Sequence, residues 1–167
     1  MNKPMKRIVW GIVLATFSIN LFGIPIFPKI VGYGLWMWGI CGLIPEPEQT
    51  EEKWTKGAGI LMTAACGIGM AVGWTPLGDG LWVRQIGAIL MVSETVCGFG
   101  LMNMQEDRGW MPEWYLLCSL AALFCYEYVI TIGGGMADFW GGAAGIAARI
   151  LLIVKLQPNQ KREGEPE

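Results

Sequence analysis

The stretch SINLFGIPIFPKIVGYGLWMWGI, residues 18–40, decides whether this chain begins with one long helix or with two. It is apolar enough to lie in a membrane, yet it contains Pro25 and Pro28. Each proline removes a backbone donor and disfavours helical geometry at the preceding residue, so a continuous helix here is costly. We therefore predict two helices joined by a tight turn. A re-entrant element is the alternative, since irregular backbone is tolerated at membrane depth where protein or a wet cavity covers it.

The composition around this stretch is typical of a membrane protein. Hydrophobic residues make up 53% of the 167 residues and charged residues only 16%, whereas soluble domains carry about a quarter charged residues. The net charge of -2 and the lack of a basic stripe argue against a nucleic-acid partner. The first apolar segment has the basic start of a signal peptide, but no small-x-small cleavage site follows it, so we expect it to be retained as a span.

Six apolar segments are each long enough to cross a bilayer, which takes about 20 helical residues. Polar linkers follow the second and fourth segments, and short linkers of Gly, Pro and small residues follow the others. This alternation predicts an all-α polytopic bundle of three helical hairpins, in one transmembrane domain with a polar tail at residues 157–167. The expected spans are roughly 7–23, 28–44, 57–75, 80–102, 112–132 and 138–156.

Lysine and arginine residues collect on one side of this six-span arrangement. Because such residues mark the cytoplasmic ends of spans, both termini are expected in the cytoplasm. The expected location is therefore a cell membrane, with the lipid bilayer as the principal partner. The basic side holds Lys3, Lys6, Arg7, Lys53, Lys56, Arg108, Lys155, Lys161 and Arg162, and the opposite side holds Lys29 and Arg84.

Four ionisable residues fall inside the predicted spans: Arg84, Glu94, Glu127 and Arg149. An unpaired charge at the bilayer centre costs roughly 2.5 to 3.5 kcal/mol, so these residues need partners, water or a place near the interface. Counting about 1.5 Å per helical residue matches Arg84 with Glu127 near the outer ends of their spans. The same count matches Glu94 with Arg149 at a deeper level. We predict these two ion pairs.

Two interpretations of the pairs stay open. They are either salt bridges that fix the register of the helices, or they line a polar cavity for a small solute or an ion. In the sixth span Ala137, Gly141, Gly145 and Arg149 recur every four residues, a small-residue stripe that directs Arg149 into the bundle. The third to sixth spans are therefore expected to form the packed centre. Tyr33 is expected to be a packing or lipid-facing aromatic, with a binding-site wall as the alternative.

Three further charged residues, Lys29, Asp79 and Asp138, lie at the predicted outer turns and are candidates for the mouth of a site. The alternative is that they are solvated turn residues, with both aspartates as helix N-caps. We expect no metal and no cofactor, because the chain has no histidine and its five cysteines lack CxxC spacing. No nucleophile–base constellation is visible, so an enzyme is the least favoured class and no catalytic residue is assigned.

Two resemblances accompany these patterns. The first hairpin resembles a group of small, uncharacterised multi-pass membrane proteins of Gram-positive bacteria, which implies no activity. The stretch GGGMADFWGGAAG, residues 133–145, together with the chain length and topology, is similar to the substrate-capturing membrane subunits of energy-coupling vitamin transporters. Lys29 stands where the first group usually has an acidic residue. The residues that match that group are Ile19, Asn20, Ile24, Ile26, Pro28, Gly32, Tyr33, Gly42 and Leu43.

The sequence thus favours an integral membrane protein that binds or moves a small solute through a polar site among the third to sixth spans. The alternative is a non-transporting accessory or immunity-type subunit that binds a membrane partner, or a second copy of itself, through Gly-rich helix faces. A polar cavity between the fourth, fifth and sixth spans would favour the solute. A dry, filled centre would favour the partner protein.

Overall fold

A computed structural model of the chain describes residues 2–16, 20–21, 24–25, 29–73, 81–104, 109–132 and 136–157. Within these ranges the chain is all-helical apart from one short pairing of two strands, β1 (Asn20–Leu21) and β2 (Ile24–Pro25). The polar tail beyond Gln157 lies outside the described residues. The six helices are α1 (Lys3–Thr16), α2 (Lys29–Leu43), α3 (Thr50–Gly73), α4 (Leu81–Asn103), α5 (Met111–Ile132) and α6 (Met136–Leu156).

The opening stretch forms two helices, α1 and α2, rather than one. Within the first predicted span, roughly 7–23, α1 ends at Thr16, and Asn20–Leu21 pairs antiparallel with Ile24–Pro25. Pro25 disfavours helix at Ile24, which favours extended backbone there. Hydropathy cannot detect this change, because the residues beyond Thr16 are as apolar as the helix itself.

Among the described residues, three helical stretches are long and apolar enough to cross a membrane by length and composition: Thr50–Val72, Arg84–Asn103 and Phe139–Leu156. They belong to α3, α4 and α6. The helices α1 and α2, at 14 and 15 residues, are shorter than the roughly 20 residues that a bilayer core requires. Six membrane spans are therefore not established by the helix lengths.

The helices pack as three antiparallel hairpins, α1 with α2, α3 with α4 and α5 with α6. Less extensive contacts of α2 with α3, α4 with α5 and α1 with α6 close the hairpins into a ring. The end of the bundle that contains the first residues of α2, α4 and α6 is called the Lys29 end below. The basic residues Lys3, Lys6 and Lys53 lie at the opposite end, where α1 and α3 begin.

The core includes the first hairpin, contrary to the expectation that the third to sixth spans alone form the packed centre. Ile8 and Ile12 of α1 and Trp36 of α2 have no exposed surface. They join Met62 of α3 and Leu152 of α6 in one cluster of buried residues. Every hairpin therefore contributes to a single shared core.

Glycines bring the backbones of α1 and α2 into direct contact. A Cβ atom added at Gly11 would lie 2.5 Å from the backbone nitrogen of Trp36 and 2.7 Å from the carbonyl oxygen of Gly32. One added at Gly32 would lie 2.8 Å from the Cα of Ala15, and one at Gly39 would lie 2.8 Å from the carbonyl oxygen of Pro4. Because backbone atoms cannot move aside as side chains can, only glycine fits at these positions.

We expect Gly32→Ala to destabilise the protein by about 1 to 3 kcal/mol, because the new methyl group overlaps the backbone of Ala15. Gly34→Ala on the same helix is the matched control. An added Cβ there meets nothing within 4 Å, so the better helix propensity of alanine should leave stability unchanged or raise it by up to about 1 kcal/mol. Thermal unfolding in detergent measures both. Equal stabilities of the two variants would contradict the close contact.

Candidate functional site

Glu94 of α4 and Arg149 of α6 form a salt bridge inside the bundle, as their matched depths predict. Arg149 Nε lies 2.5 Å from Glu94 Oε1, and Arg149 Nη2 donates to Glu94 Oε2 at 2.7 Å. Such a two-bond fork between guanidinium and carboxylate is the strong form of this interaction. Both residues lie roughly 20 Å from the first residue of their helices at about 1.5 Å per residue. Glu94 is only 9% exposed.

Tyr33 of α2 completes the cluster. Its hydroxyl donates to Glu94 Oε2 at 2.9 Å and accepts from Arg149 Nη2 at 3.1 Å. The ring of Tyr33 is 2% exposed and stacks beside Trp36, with 6.3 Å between ring centroids. Each hairpin therefore supplies one member of the Tyr33–Glu94–Arg149 cluster, which ties the three hairpins together at one point.

The position of α2 explains why the sequence did not assign Tyr33 to the cluster. Tyr33 lies roughly 6 Å from the start of α2, whereas Glu94 lies roughly 20 Å from the start of α4. Their hydrogen bond means that α2 begins at a deeper level of the bundle than α4 and α6. The order of apolar and polar residues along the chain does not specify how deep α2 sits.

A cavity of about 450 Å³ extends from the Lys29 end of the bundle to the cluster. Thr16, the last residue of α1, and Lys29, the first residue of α2, line it together with Glu94 and Arg149. The cavity thus lies where the short helices of the first hairpin end beside the longer α4, α5 and α6.

Small residues of α6 form one side of the cavity, here called the α6 wall: Ala137, Gly141, Gly142, Gly145 and Ala148. The opposing surface is supplied by Leu90 and Met91 of α4, and Ser119 and Ala122 of α5 add to it. The small-residue stripe predicted on the sixth span therefore lines the cavity as well as packing on α5. An added Cβ at Gly141 would lie 2.8 Å from Cys125 Cβ, whereas one at Gly142 would meet nothing within 4 Å.

Two tyrosines of α5 fasten this helix to α4. Tyr115 donates its hydroxyl hydrogen to the carbonyl oxygen of Glu94 at 3.0 Å, and Tyr126 donates to that of Arg84 at 3.0 Å. The Tyr115 hydroxyl lies against Gly98 and the Tyr126 hydroxyl against Gly87, where a larger residue would displace them. Both tyrosines line the cavity. Tyr115 thus holds the α4 backbone at Glu94 from the α5 side, and Tyr126 does the same at Arg84.

The predicted outer residues lie on α4 and α5 and at the turns of the Lys29 end. Arg84 and Glu127 are both exposed on their helices, and their pairing stays a prediction. Of the three residues at the predicted outer turns, Lys29 lines the cavity. Asp79 and the side chain of Asp138 lie outside the described residues.

Within the described ranges no group of three or more Cys, Asp or Glu residues is placed to hold a metal ion. The five cysteines, Cys41, Cys66, Cys97, Cys118 and Cys125, are unpaired thiols. The described lining contains one carboxylate, Glu94, and two cationic side chains, Lys29 and Arg149.

Charge reversal tests the Glu94–Arg149 pair. Glu94→Arg and Arg149→Glu should each cost about 3 to 5 kcal/mol, because each leaves two like charges buried together. The double exchange restores opposite charges and should recover most of the lost stability. The measurements are the amount of folded protein in membranes and its thermal unfolding after detergent extraction. If the double variant also recovers all solute binding, a structural role alone accounts for the pair. Single variants as stable as the wild type would contradict the pairing.

Comparison with known proteins adds no functional assignment to this geometry. The chain matches no protein-family model, no curated protein and no solved structure. The cavity and the cluster at its inner end are therefore the features from which a function can be inferred.

Proposed function

We propose that this chain is a six-span integral membrane protein that binds a small solute in the cavity at the Lys29 end of the bundle. The observation that carries the proposal is a cavity of about 450 Å³ that ends on a buried ion pair. Ligand cavities in proteins commonly measure about 300 to 1,000 Å³ and combine apolar walls with a few fixed polar groups. Leu90, Met91 and Ile146 supply apolar walls here, and Tyr33, Glu94 and Arg149 supply the polar groups.

The cost of burying the pair supports a functional role. Charged residues at membrane depth are expensive to insert, and they commonly mark the path or site of a solute. A bridge that only fixed helix register could be enclosed by side chains. Here Arg149 retains 21% of its side-chain exposure and borders the cavity.

The proposed orientation places both termini in the cytoplasm and the cavity mouth on the opposite side of the membrane. Lys3, Lys6, Lys53 and Lys155 lie at the end of the bundle away from Lys29, in agreement with the rule that positive residues face the cytoplasm. The exposed Trp54 also lies at that end, where tryptophan would anchor the chain in the headgroup region. The short α1 and α2 would cross with local thinning of the bilayer.

The cavity also favours solute binding over the alternative of a partner-binding accessory subunit. A protein that acted only through Gly-rich outer faces would have no need of a space between α4, α5 and α6. The resemblance to substrate-capturing transporter subunits would imply a second, energy-coupling protein. Co-purification of a stoichiometric ATPase or transmembrane coupling subunit after mild detergent extraction would support capture for transport.

Cysteine labelling tests the orientation. In spheroplasts a membrane-impermeant maleimide should label Lys29→Cys, whereas Lys53→Cys should react only after the membrane is opened. Both positions are exposed on the protein, so a difference in labelling reports the side of the membrane. The wild type gives the background from the five native cysteines. The opposite labelling pattern would overturn the orientation, and labelling of both positions in closed spheroplasts would overturn the membrane-spanning arrangement.

Filling the cavity tests solute binding. Gly145→Leu should extend a side chain into the cavity with little cost to folding, because the added Cβ would meet only Ala122 Cβ at 3.9 Å. Gly57→Leu on α3 is the matched control, since a Cβ there meets nothing within 4 Å and Gly57 does not line the cavity. Purified proteins are incubated with a cell metabolite extract and retained small molecules are identified by mass spectrometry. The wild type and Gly57→Leu should retain the same compound, and Gly145→Leu should lose it at least about tenfold. Retention of no compound by the wild type would contradict the proposal.

A further inference from the structure

The hydrogen bonds of Arg149 leave one edge of its guanidinium free. Nε donates to Glu94 Oε1, and Nη2 donates to Glu94 Oε2 and to the Tyr33 hydroxyl. The guanidinium carries a further pair of N–H donors on Nη1, and these have no partner among the residues that the structure describes. Since Arg149 borders the cavity, this edge offers donors to a molecule inside it.

Glu94 has little capacity left for a ligand. Its carboxylate already accepts from Arg149 Nε, Arg149 Nη2 and the Tyr33 hydroxyl. Its negative charge nevertheless remains within a few ångströms of any group that reaches Nη1. An anion at Nη1 would therefore be attracted by Arg149 and repelled by Glu94. A cation there would be repelled by Arg149 and attracted by Glu94. Because the pair is neutral as a unit, it repays only part of the cost of dehydrating an ion in the cavity, whereas an uncharged acceptor takes the same hydrogen bond without that cost.

The remaining charged residue of the described lining is Lys29. It is exposed at the first residue of α2, so water screens its charge more strongly than that of the buried pair. Lys29 lies one helical turn before Tyr33, about 6 Å along α2, but its water-screened field at the inner end is weaker than that of the two buried ions. The charge of a ligand group at the inner end is therefore set by Glu94 and Arg149.

The α6 wall adds a requirement on shape. At Gly142 and Gly145 the backbone itself borders the cavity, and an added Cβ would meet at most Ala122 Cβ at 3.9 Å. Along this wall α6 presents only glycine backbone and alanine methyl groups, so its relief is low, and Ile146 of the same helix adds apolar surface beside it. Leu90 and Met91 lie on the facing helix, α4, so the space between them suits a flat, apolar body.

We infer that the cavity takes an uncharged, flat molecule that presents a carbonyl-type hydrogen-bond acceptor to Arg149 Nη1 and lies against the α6 wall. This inference rests on the proposed function, because it names the class of solute for the same cavity. The ligand class follows from the unused donors of Arg149, the saturated carboxylate of Glu94 and the small residues of α6.

Three probes of equal size separate the charge classes: benzamide, benzoate and benzylammonium. Each carries one phenyl ring, and they differ chiefly in the charge of the attached group. Binding to the purified full chain in detergent is measured by saturation-transfer NMR titration. We expect benzamide to bind at least about tenfold more tightly than either ion, since the neutral pair does not fully repay the dehydration of an ion. A wild-type protein that prefers benzoate or benzylammonium would overturn the inference.

Glu94→Gln gives a second, independent readout. It removes the negative charge while nearly keeping the side-chain volume, so Arg149 is no longer neutralised and the preference should change from benzamide to benzoate. Glu113→Gln is the control, because Glu113 is exposed in the first turn of α5 and does not line the cavity. It should retain the wild-type preference. A folded Glu94→Gln variant that still prefers benzamide would contradict the role assigned to charge.

The outcomes distinguish this inference from the proposed function. If the probes bind to the wild type but not to Gly145→Leu, the cavity is a binding site, and the order of their affinities decides the ligand class. If no probe binds to the wild type and no metabolite is retained either, the solute-binding proposal itself fails. If a metabolite is retained and proves to be charged, the site stands and the inference about its ligand is wrong.

Discussion

The bidentate salt bridge between Glu94 and Arg149, completed by the Tyr33 hydroxyl, is the interaction on which the rest of the bundle depends. Its members come from three different hairpins, so none of the hairpins can shift far without breaking a hydrogen bond to a charged group. Removing a partner from such a pair leaves a buried charge unsatisfied, which costs more than the bond itself contributes. The cluster thus specifies how the hairpins are arranged, whereas apolar packing supplies most of the stabilisation.

The cavity follows from an imbalance between hairpins that share one core. In the first hairpin, glycines let the backbones of α1 and α2 touch. These two helices have 14 and 15 residues, whereas α4, α5 and α6 have 21 to 23 residues. Short helices packed beside long ones cannot fill the bundle at both ends. Because α2 begins deep enough for Tyr33 to reach Glu94, the part of the bundle that α1 and α2 do not reach lies at the Lys29 end. The same placement that completes the cluster therefore leaves space above it.

Much of this arrangement can be predicted from the sequence, and the failures have specific causes. Apolar runs bounded by Gly and Pro predict the ends of the later helices to within a few residues. The exception is the start of α3, which lies about seven residues before the predicted position. The constant rise of a helix is enough to match Glu94 with Arg149, because α4 and α6 start at similar levels. Tyr33 was missed because the depth of α2 depends on how the first hairpin packs on the others. The end of α1 at Thr16 was missed because hydropathy does not distinguish helix from extended backbone. The Arg84–Glu127 pair stays a prediction.

The direct backbone contact between α1 and α2 determines where this protein can change shape. Gly11, Gly32 and Gly39 leave no slack between these helices, so they translate and rotate as one body. Any widening of the cavity must then occur along the seams between hairpins, where α1 meets α6 and α2 meets α3 and the contacts are sparser. Movement of the first hairpin would therefore break the hydrogen bonds of the Tyr33 hydroxyl and leave the salt bridge between Glu94 and Arg149 intact.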